Sequence, residues 1–114
     1  LACTMEAFGT FILVFVIFRL TQVKEQIDNL TPILIGLTVT AIICLVAPFT
    51  HAGLNPARDF GPRLVAYFGG WNIAAFPKVT FSFFTVYILS PITGGAIAAL
   101  LDRYFIQKKN KIGF

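Results

Sequence analysis

Long apolar stretches alternate with short polar segments along the chain. The first covers about residues 3–22 and is interrupted by Glu6, the second covers about residues 30–49 without a charge, and the third covers about residues 80–106 and is uncharged until Asp102. A helix needs about 20 mostly apolar residues to cross the hydrocarbon core of a bilayer. Because lipid excludes open sheets and three strands cannot close a barrel, the pattern predicts three transmembrane helices.

The segment between the second and third stretches, residues 51–78, is not an ordinary polar loop. It contains a shorter apolar run that ends at Gly69 and Gly70, and glycine commonly ends helices. We expect a helix over about residues 55–68. Such a helix is too short to span, and membranes tolerate it only where protein or a water-filled cavity surrounds it. The predicted fold is therefore an all-α membrane protein with three transmembrane helices and one re-entrant half-helix.

The composition supports this fold class. Hydrophobic residues make up 57% of the 114 residues and charged residues 12%, whereas soluble domains carry roughly 25% charged residues. The net charge of +4 does not come from a basic patch interleaved with aromatic residues, which argues against a nucleic-acid partner. Cys3 and Cys44 show no CxxC or Cys/His spacing. We expect them to be small buried apolar residues, and we expect no metal or cofactor.

The basic residues predict an orientation. The first polar loop and the C-terminal end lie on the same side of a chain with three spans, and that side carries the larger number of Lys and Arg residues. Because cytoplasmic ends of spans are enriched in these residues, we expect a cytoplasmic C-terminus in the cell (inner or plasma) membrane. The residues on that side are Arg19, Lys24, Arg103, Lys108, Lys109 and Lys111, against Arg58, Arg63 and Lys78 on the other.

The sequence LNPARDFGPR carries the candidate chemistry at the start of the half-helix. Asn55 is a favoured N-cap and Pro56 a favoured first helical residue, so free N–H groups and the positive dipole end would point into the membrane interior. Thr31 and Pro32 form a similar pair at the second span. Arg58 falls in the first turn. A charged side chain inside the membrane is costly and usually serves a function, so Arg58 is a candidate functional residue. The alternative is a polar turn outside the bilayer with Arg58 solvated.

An electropositive helix end beside an arginine suits a pore for neutral, hydroxyl-bearing molecules. The amide of Asn55 and the guanidinium of Arg58 can replace the hydration of a permeant oxygen. The same positive field excludes protons and cations. The candidates for an enzymatic dyad are Glu6, His51 and Asp59, and none lies in a recognisable catalytic motif, so we do not expect an enzyme.

The segment NPARDFGPR resembles the second signature loop of the major intrinsic proteins, the aquaporins and glycerol facilitators. The sequence EAFGTFILVFVI from Glu6 resembles the fourth span of that family, and PITGGAIAAL from Pro91 resembles the sixth, so the resemblance extends over nearly the whole chain. It implies that residues 1–114 form the C-terminal one of two inverted repeats, whose half-helices meet at the midplane. It also implies tetramers with one pore per subunit.

The resemblance assigns roles by position. Asn55, Pro56 and Ala57 would form the second NPA motif. Arg58 would be the arginine of the selectivity filter. Glu6 would be the buried carboxylate that accepts backbone N–H bonds from the re-entrant loop and holds its shape.

Further positions bear on the permeant. The resemblance places Ile43 and Ala52 at two positions of the selectivity filter. Strict water channels carry a histidine at the position of Ile43, and glycerol facilitators carry an aromatic residue at the position of Ala52. Asp59 and Arg63 resemble glycerol-conducting members, whereas residues 87–88 depart from the Pro-Leu pair that is common there. The resemblance therefore favours a small neutral polyol, with water passing as well.

Together these features predict half of a passive channel for glycerol or similar polyols and water that excludes protons and cations. Its partners would be the small solutes, the lipid bilayer, the N-terminal half of the channel and, once complete, further subunits in a homotetramer. His51 and Asp59 would support the loop, with a filter or pH-gate role as the alternative for His51. Alternative functions are a non-conducting fragment or structural remnant of such a channel, or a water, ammonia or metalloid channel.

Overall fold

A computed structural model describes residues 1–22, 29–77 and 80–112, and every regular element within these ranges is helical. Three helical segments are long and apolar enough to cross a membrane: Ala2–Gln22, Thr31–Thr50 and Phe81–Lys108. A further, shorter helix lies between the second and the third. The predicted all-α class is therefore confirmed. The elements are α1 (Ala2–Gln22), α2 (Thr31–Thr50), α3 (Pro56–Ala66), a π-helical turn (Tyr67–Trp71), a 3₁₀ turn (Asn72–Ala75), α4 (Thr80–Phe83), a second π-helical turn (Phe84–Leu89) and α5 (Ser90–Ile112).

Helix α2 begins one residue earlier than the sequence predicts. Thr31 is its first helical residue and Pro32 its second, and Leu30 occupies the N-cap position without a side-chain cap. The predicted capping role of Thr31 is therefore wrong. Pro32 is tolerated at either position because no N–H in the first turn has a partner within the helix. The helix ends at His51, whose φ of 63° is left-handed and whose N–H bonds to the carbonyl of Ala47.

A π-helical turn joins α4 to α5. The backbone N–H of Ser90 bonds to the carbonyl of Thr85, five residues back, and the Ser90 hydroxyl lies 2.6 Å from the same oxygen. The next residue, Pro91, has no N–H to donate to the carbonyl of Tyr87, which lies four residues before it. The proline therefore accounts for the wider turn, a feature that is frequent at functional sites.

Helices α1 and α5 pack with their backbones close together. A Cβ on Gly94 would collide with the backbone carbonyl of Ala7, and Ala98, one turn further along α5, is completely buried. Small residues four apart are typical of helix contacts in membranes because they let backbones approach. Gly94 is therefore required at this crossing.

The apolar core lies between α1, α2 and the loop that follows α2. Ile42 and Val46 of α2 pack with Ala52 and Leu54 of the loop in one buried cluster. Gly9 of α1 makes room for it, because a Cβ there would lie 2.7 Å from Cδ2 of Leu54. The loop is thus part of the core.

A polar cluster joins the far ends of α1 and α5. Asp102 is 6% exposed, and Nε2 of Gln22 donates to both of its carboxylate oxygens at 3.0 and 2.9 Å. Nη1 of Arg19 lies 3.5 Å from the same carboxylate, while the Arg19 guanidinium stands over the ring of Phe105. The charge that ends the third apolar stretch is therefore paired.

Both cysteines are exposed, so the prediction that they are buried is wrong. They lie on the outer faces of α1 and α2, where Leu45, the neighbour of Cys44, is 69% exposed. Three long helices and one short helix are too few to cover every helix face, and the uncovered faces are apolar.

Several of the basic residues that predict the orientation lie outside the described ranges. Lys24 and Lys78 lie outside them, as do the side chains of Lys109 and Lys111. Of the remaining basic residues, Arg19 lies at the same end of the helices as Asp102.

Candidate functional site

The half-helix α3 begins with the cap that the sequence predicts. Asn55 has an extended backbone, and its Oδ1 accepts the N–H groups of Ala57 at 2.9 Å and Arg58 at 3.4 Å. Pro56 is the first helical residue. The Nδ2 group of Asn55 donates no hydrogen bond within the described part of the chain, and the residue is exposed. One side of this amide therefore fixes the helix, while the other remains available to an external oxygen.

The half-helix ends sooner than expected. Its regular part has 11 residues, Pro56–Ala66, which gives a length of about 16 Å, roughly half the hydrocarbon thickness. A π-helical turn, Tyr67–Trp71, follows it and breaks at Gly70, whose φ is 106°. Glycine adopts such an angle without steric cost. The α-helix itself therefore stops at Ala66, and the helical backbone breaks at Gly70.

The loop before the half-helix holds a strained backbone. His51, Ala52 and Leu54 have φ angles of 63°, 53° and 57°, each of which costs of the order of 1 kcal/mol for a residue with a Cβ. The N–H of Asn55 bonds to the carbonyl of Gly53 at 2.7 Å, which closes a tight turn. Such a loop persists only if other groups hold it.

Glu6 of α1 holds the loop from inside the protein. Its carboxylate is completely buried and accepts the N–H of Gly53 at 2.8 Å and the N–H of Leu54 at 2.6 Å. The hydroxyl of Thr50 donates to it at 2.5 Å. A buried charge is costly unless hydrogen bonds compensate it, and bonds to a charged acceptor are about twice as strong as neutral ones.

Two threonines outside the predicted site complete this arrangement. The hydroxyl of Thr10 lies 2.9 Å from the carbonyl of Leu54 and 2.8 Å from the carbonyl of Glu6. Thr50 accepts the N–H of Ala52 at 3.3 Å. Thr10 lies one helical turn after Glu6, so the shared helix face was a usable sequence signal. Thr50 carried no such signal, because its contact depends on how the loop folds.

Arg58 folds back onto the loop. Its Nη1 donates to the carbonyls of Ala52 at 2.5 Å and Gly53 at 3.1 Å. These carbonyls fix the position of one end of the guanidinium. The residue is exposed, and within the described chain its other side-chain N–H groups make no hydrogen bond. A guanidinium has five N–H donors, so most of them remain available to a ligand.

The other predicted site residues have different environments. Ala52 is completely buried, and Ile43 is half-buried and packs against the same apolar cluster. The backbone carbonyl of Ala52 accepts a hydrogen bond from Arg58. His51 is exposed and contributes its left-handed backbone at the end of α2.

Asp59 and Arg63 form an ion pair on the half-helix. The guanidinium binds both carboxylate oxygens, at 2.7 and 3.0 Å, and both side chains are largely buried. Nη1 of Arg63 also donates to the carbonyl of Ala75 at 3.0 Å. The pair therefore ties the half-helix to the segment that returns from it.

A groove of about 350 Å³ runs past the start of the half-helix. The α1 and α5 helices supply apolar walls, and the tip of α3 supplies the polar end. Its lining includes Thr10, Ile17, Asn55, Pro56 and Gly95. The open amide of Asn55 and apolar surface thus meet in one groove.

Comparison with known proteins assigns the family. The model of the family described as Major intrinsic protein matches residues 1–102. The chain is 41% identical over 98 residues to Aquaglyceroporin-2 of Rhizophagus irregularis, which covers 84% of this chain and 31% of the relative. It is 38% identical over 110 residues to the propanediol uptake facilitator PduF of Salmonella typhimurium, covering 94% and 42%. It is 39% identical over 110 residues to the glycerol uptake facilitator protein of Pseudomonas aeruginosa, covering 94% and 39%.

This chain belongs to the major intrinsic protein family, and it is an integral membrane protein. The resemblance stated from the sequence is thereby confirmed. The members of the family are channels, and the named relatives support a channel for small solutes. The chain spans less than half the length of these three relatives. No solved structure gives a significant match.

Proposed function

We propose that this chain forms one half of a passive channel for glycerol or similar polyols and water. The observation that carries the proposal is the pairing of two donors at the tip of the half-helix. Nδ2 of Asn55 is open, and Arg58 is anchored by one end on the carbonyls of Ala52 and Gly53. Both lie at a site where the backbone supplies a positive dipole end.

The chemistry of this site fits a polyol. Hydroxyl oxygens of the solute would accept hydrogen bonds from Asn55 and Arg58, while its carbon backbone would pass along the apolar walls of the groove. Transport would be downhill, with neither a covalent step nor a cofactor, so the chain would not act as an enzyme. The positive field would exclude protons and cations. The names of the relatives, which include glycerol and propanediol facilitators, support this solute class.

A complete pore would need a second half. In this proposal residues 1–114 are the C-terminal repeat, and an inverted N-terminal repeat covers the groove beside Asn55. That repeat would come from the same polypeptide or from a sister chain, because the charge bias of this chain favours one orientation and so disfavours an inverted second copy. We refer to this chain together with its complementary half as the assembled channel. We further propose that it forms tetramers in the cell membrane, with the C-terminus in the cytoplasm.

The test is glycerol uptake into vesicles, followed by stopped-flow light scattering. One preparation contains this chain together with the N-terminal half of the Pseudomonas aeruginosa relative, and the others contain each half alone. The two halves of that relative, expressed separately and mixed, provide the matched positive control. We expect glycerol and water flux only when both halves are present.

Two outcomes would contradict the proposal. Flux through this chain alone would show that it is not a half-pore. Absence of flux in the mixed preparation, while the control conducts, would favour a non-conducting remnant.

A further inference from the structure

Aromatic rings line the outer junction of α1 and α5 and lead to Arg19. The ring of Phe11 stacks on that of Phe15 with the centroids 5.9 Å apart, and the ring of Phe15 lies 6.3 Å from that of Phe105 in α5. The guanidinium of Arg19 stands over the rings of Phe15 and Phe105, at 5.5 and 5.1 Å from their centroids. We call these three rings and Arg19 the aromatic seam.

The aromatic seam lies on the side of α1 that faces away from the candidate site. Thr10 and Ile17 line the groove beside the half-helix. Successive residues of an α-helix are about 100° apart around its axis, so Phe15 and Arg19 lie roughly opposite those two positions. The complementary half that covers the groove therefore covers the other side of α1 and leaves the seam to the bilayer.

The guanidinium of Arg19 retains donors for a ligand. Its Nη1 donates to Oε1 of Gln22 at 3.0 Å and lies 3.5 Å from the carboxylate of Asp102. Its remaining N–H groups make no hydrogen bond to any residue that the structure describes, and the side chain is 39% exposed. Since a guanidinium has five N–H donors, several of them are available to an external anion.

A second cation lies at the same end of the helices. Lys108 is exposed and follows Phe105 by three residues, so both lie on one face of α5. The spanning segments end at Gln22 and Lys108, and this end is therefore at the level of the lipid headgroups. Asp102, the acid that the described residues place here, is buried and accepts two bonds from Gln22. The outer surface at this end is therefore positive.

We propose that the aromatic seam and Lys108 bind an anionic phospholipid of the surrounding leaflet. The phosphate accepts hydrogen bonds from Arg19 and Lys108, because such charge-assisted bonds are stronger than neutral ones. The acyl chain lies along the rings of Phe11 and Phe15, which continue from Arg19 toward the middle of the membrane. A zwitterionic phospholipid has the same chains but no net charge, so it binds less tightly. The site does not depend on whether the channel conducts.

Native mass spectrometry of the assembled channel in detergent tests the site. The probes are phosphatidylglycerol and phosphatidylcholine with identical acyl chains. We expect wild type to bind phosphatidylglycerol about tenfold more tightly than phosphatidylcholine, because two cations face its charge. Lys108→Gln should weaken phosphatidylglycerol binding about fivefold and leave phosphatidylcholine binding unchanged.

Arg103→Gln is the matched control for Lys108→Gln. It removes the same charge from an exposed residue at the same end of α5. Arg103 precedes Phe105 by two residues, so it lies on the opposite face of the helix, away from the aromatic seam. We expect its affinity for phosphatidylglycerol to stay within about twofold of wild type.

Two variants of Arg19 test the other cation. Arg19→Gln should weaken phosphatidylglycerol binding about fivefold, and Arg19→Lys, which keeps the charge but not the planar set of donors, about twofold. Because Arg19 also contacts Asp102, the lipid preference is compared with the thermal midpoint measured without lipid. Should Arg19→Gln not accumulate, Lys108→Gln and Arg19→Lys carry the test.

Two results would overturn the lipid site. The first is equal affinity of the wild-type channel for the two phospholipids, which would also follow if another subunit covered the aromatic seam. The second is an equal loss of phosphatidylglycerol binding in Lys108→Gln and Arg103→Gln, which would show that net charge alone attracts the lipid. Neither result bears on the proposed function, which the glycerol flux decides.

Discussion

The carboxylate of Glu6 accepts the backbone N–H of Leu54 at 2.6 Å, across 48 residues of sequence. Leu54 immediately precedes the cap of the half-helix and has a left-handed backbone. The bond therefore connects the first long helix to the place where the half-helix starts. The strained loop is stabilised by a buried charge, and the position of Asn55 depends on it.

Replacing Glu6 by Gln tests this dependence. The amide offers one acceptor oxygen in place of two, so one of the N–H groups of Gly53 and Leu54 would face an NH₂ group. A buried donor without a partner costs about 1–3 kcal/mol. We expect a lower thermal midpoint in detergent and loss of solute flux in the assembled channel. Glu6→Asp keeps the charge and should be intermediate. A Glu6→Gln variant with the melting temperature of wild type would show that the carboxylate does not hold the loop.

Asn55 combines a capping function with a free donor, and two variants separate them. Asn55→Asp keeps an oxygen for the N–H groups of Ala57 and Arg58, but it adds a negative charge and removes Nδ2. Asn55→Ala removes both the capping oxygen and the Nδ2 donor, and the lost cap should cost about 1 kcal/mol of stability. We expect Asn55→Asp to fold normally, to conduct glycerol less well and to let more cations pass. Ion flux and glycerol flux measured on the same vesicles check this. Wild-type glycerol flux through Asn55→Asp would show that the free donor has no role.

The contact between α1 and α5 can be tested with a pair of glycines. Gly94→Ala would place a Cβ against the carbonyl of Ala7, whereas Gly36→Ala meets no atom within 4 Å. Alanine is favoured over glycine in a helix by up to about 1 kcal/mol. We therefore expect Gly36→Ala to be neutral or slightly stabilising and Gly94→Ala to lower the thermal midpoint and the yield of folded protein. Similar thermal midpoints for the two variants would contradict the close crossing.

The cluster around Asp102 should contribute to stability without affecting selectivity. Asp102→Ala leaves Nε2 of Gln22 without its acceptor and removes the ion-pair partner of Arg19, which we expect to cost about 1–3 kcal/mol. Arg103→Ala, next to it and exposed, is the matched control. Unfolding of both variants in detergent measures the difference. If Asp102→Ala and Arg103→Ala have the same unfolding midpoint, the cluster does not stabilise the contact between α1 and α5.

The sequence predicted the features that depend on local chemistry. The three apolar stretches gave the spanning helices, and the Asn-Pro pair at residues 55–56 gave the cap of the half-helix. Hydropathy determines the spanning helices, and N-cap preferences determine where the half-helix starts. Neither prediction requires knowledge of tertiary contacts. The resemblance to a family also directed attention to Glu6 and Arg58.

The contacts between distant elements could not be predicted in the same way. The bonds from Tyr87 to Thr50 and from Gln22 to Asp102 depend on how each helix is rotated about its axis. Hydropathy fixes that rotation poorly when all faces are apolar. The same ambiguity explains the wrong prediction for Cys44, since an apolar helix gives no sign of which face is covered.

The central claim is that solutes pass the tip of the half-helix, and modification of a cysteine at Ala57 tests it most directly. Ala57 is exposed in the first turn, so Ala57→Cys would be made in an assembled channel that carries Cys3→Ser and Cys44→Ser. Its glycerol flux is measured before and after complete reaction with a small methanethiosulfonate reagent. We expect modification to abolish the flux, and glycerol at high concentration to slow the reaction. Unchanged glycerol flux after complete modification would contradict the claim.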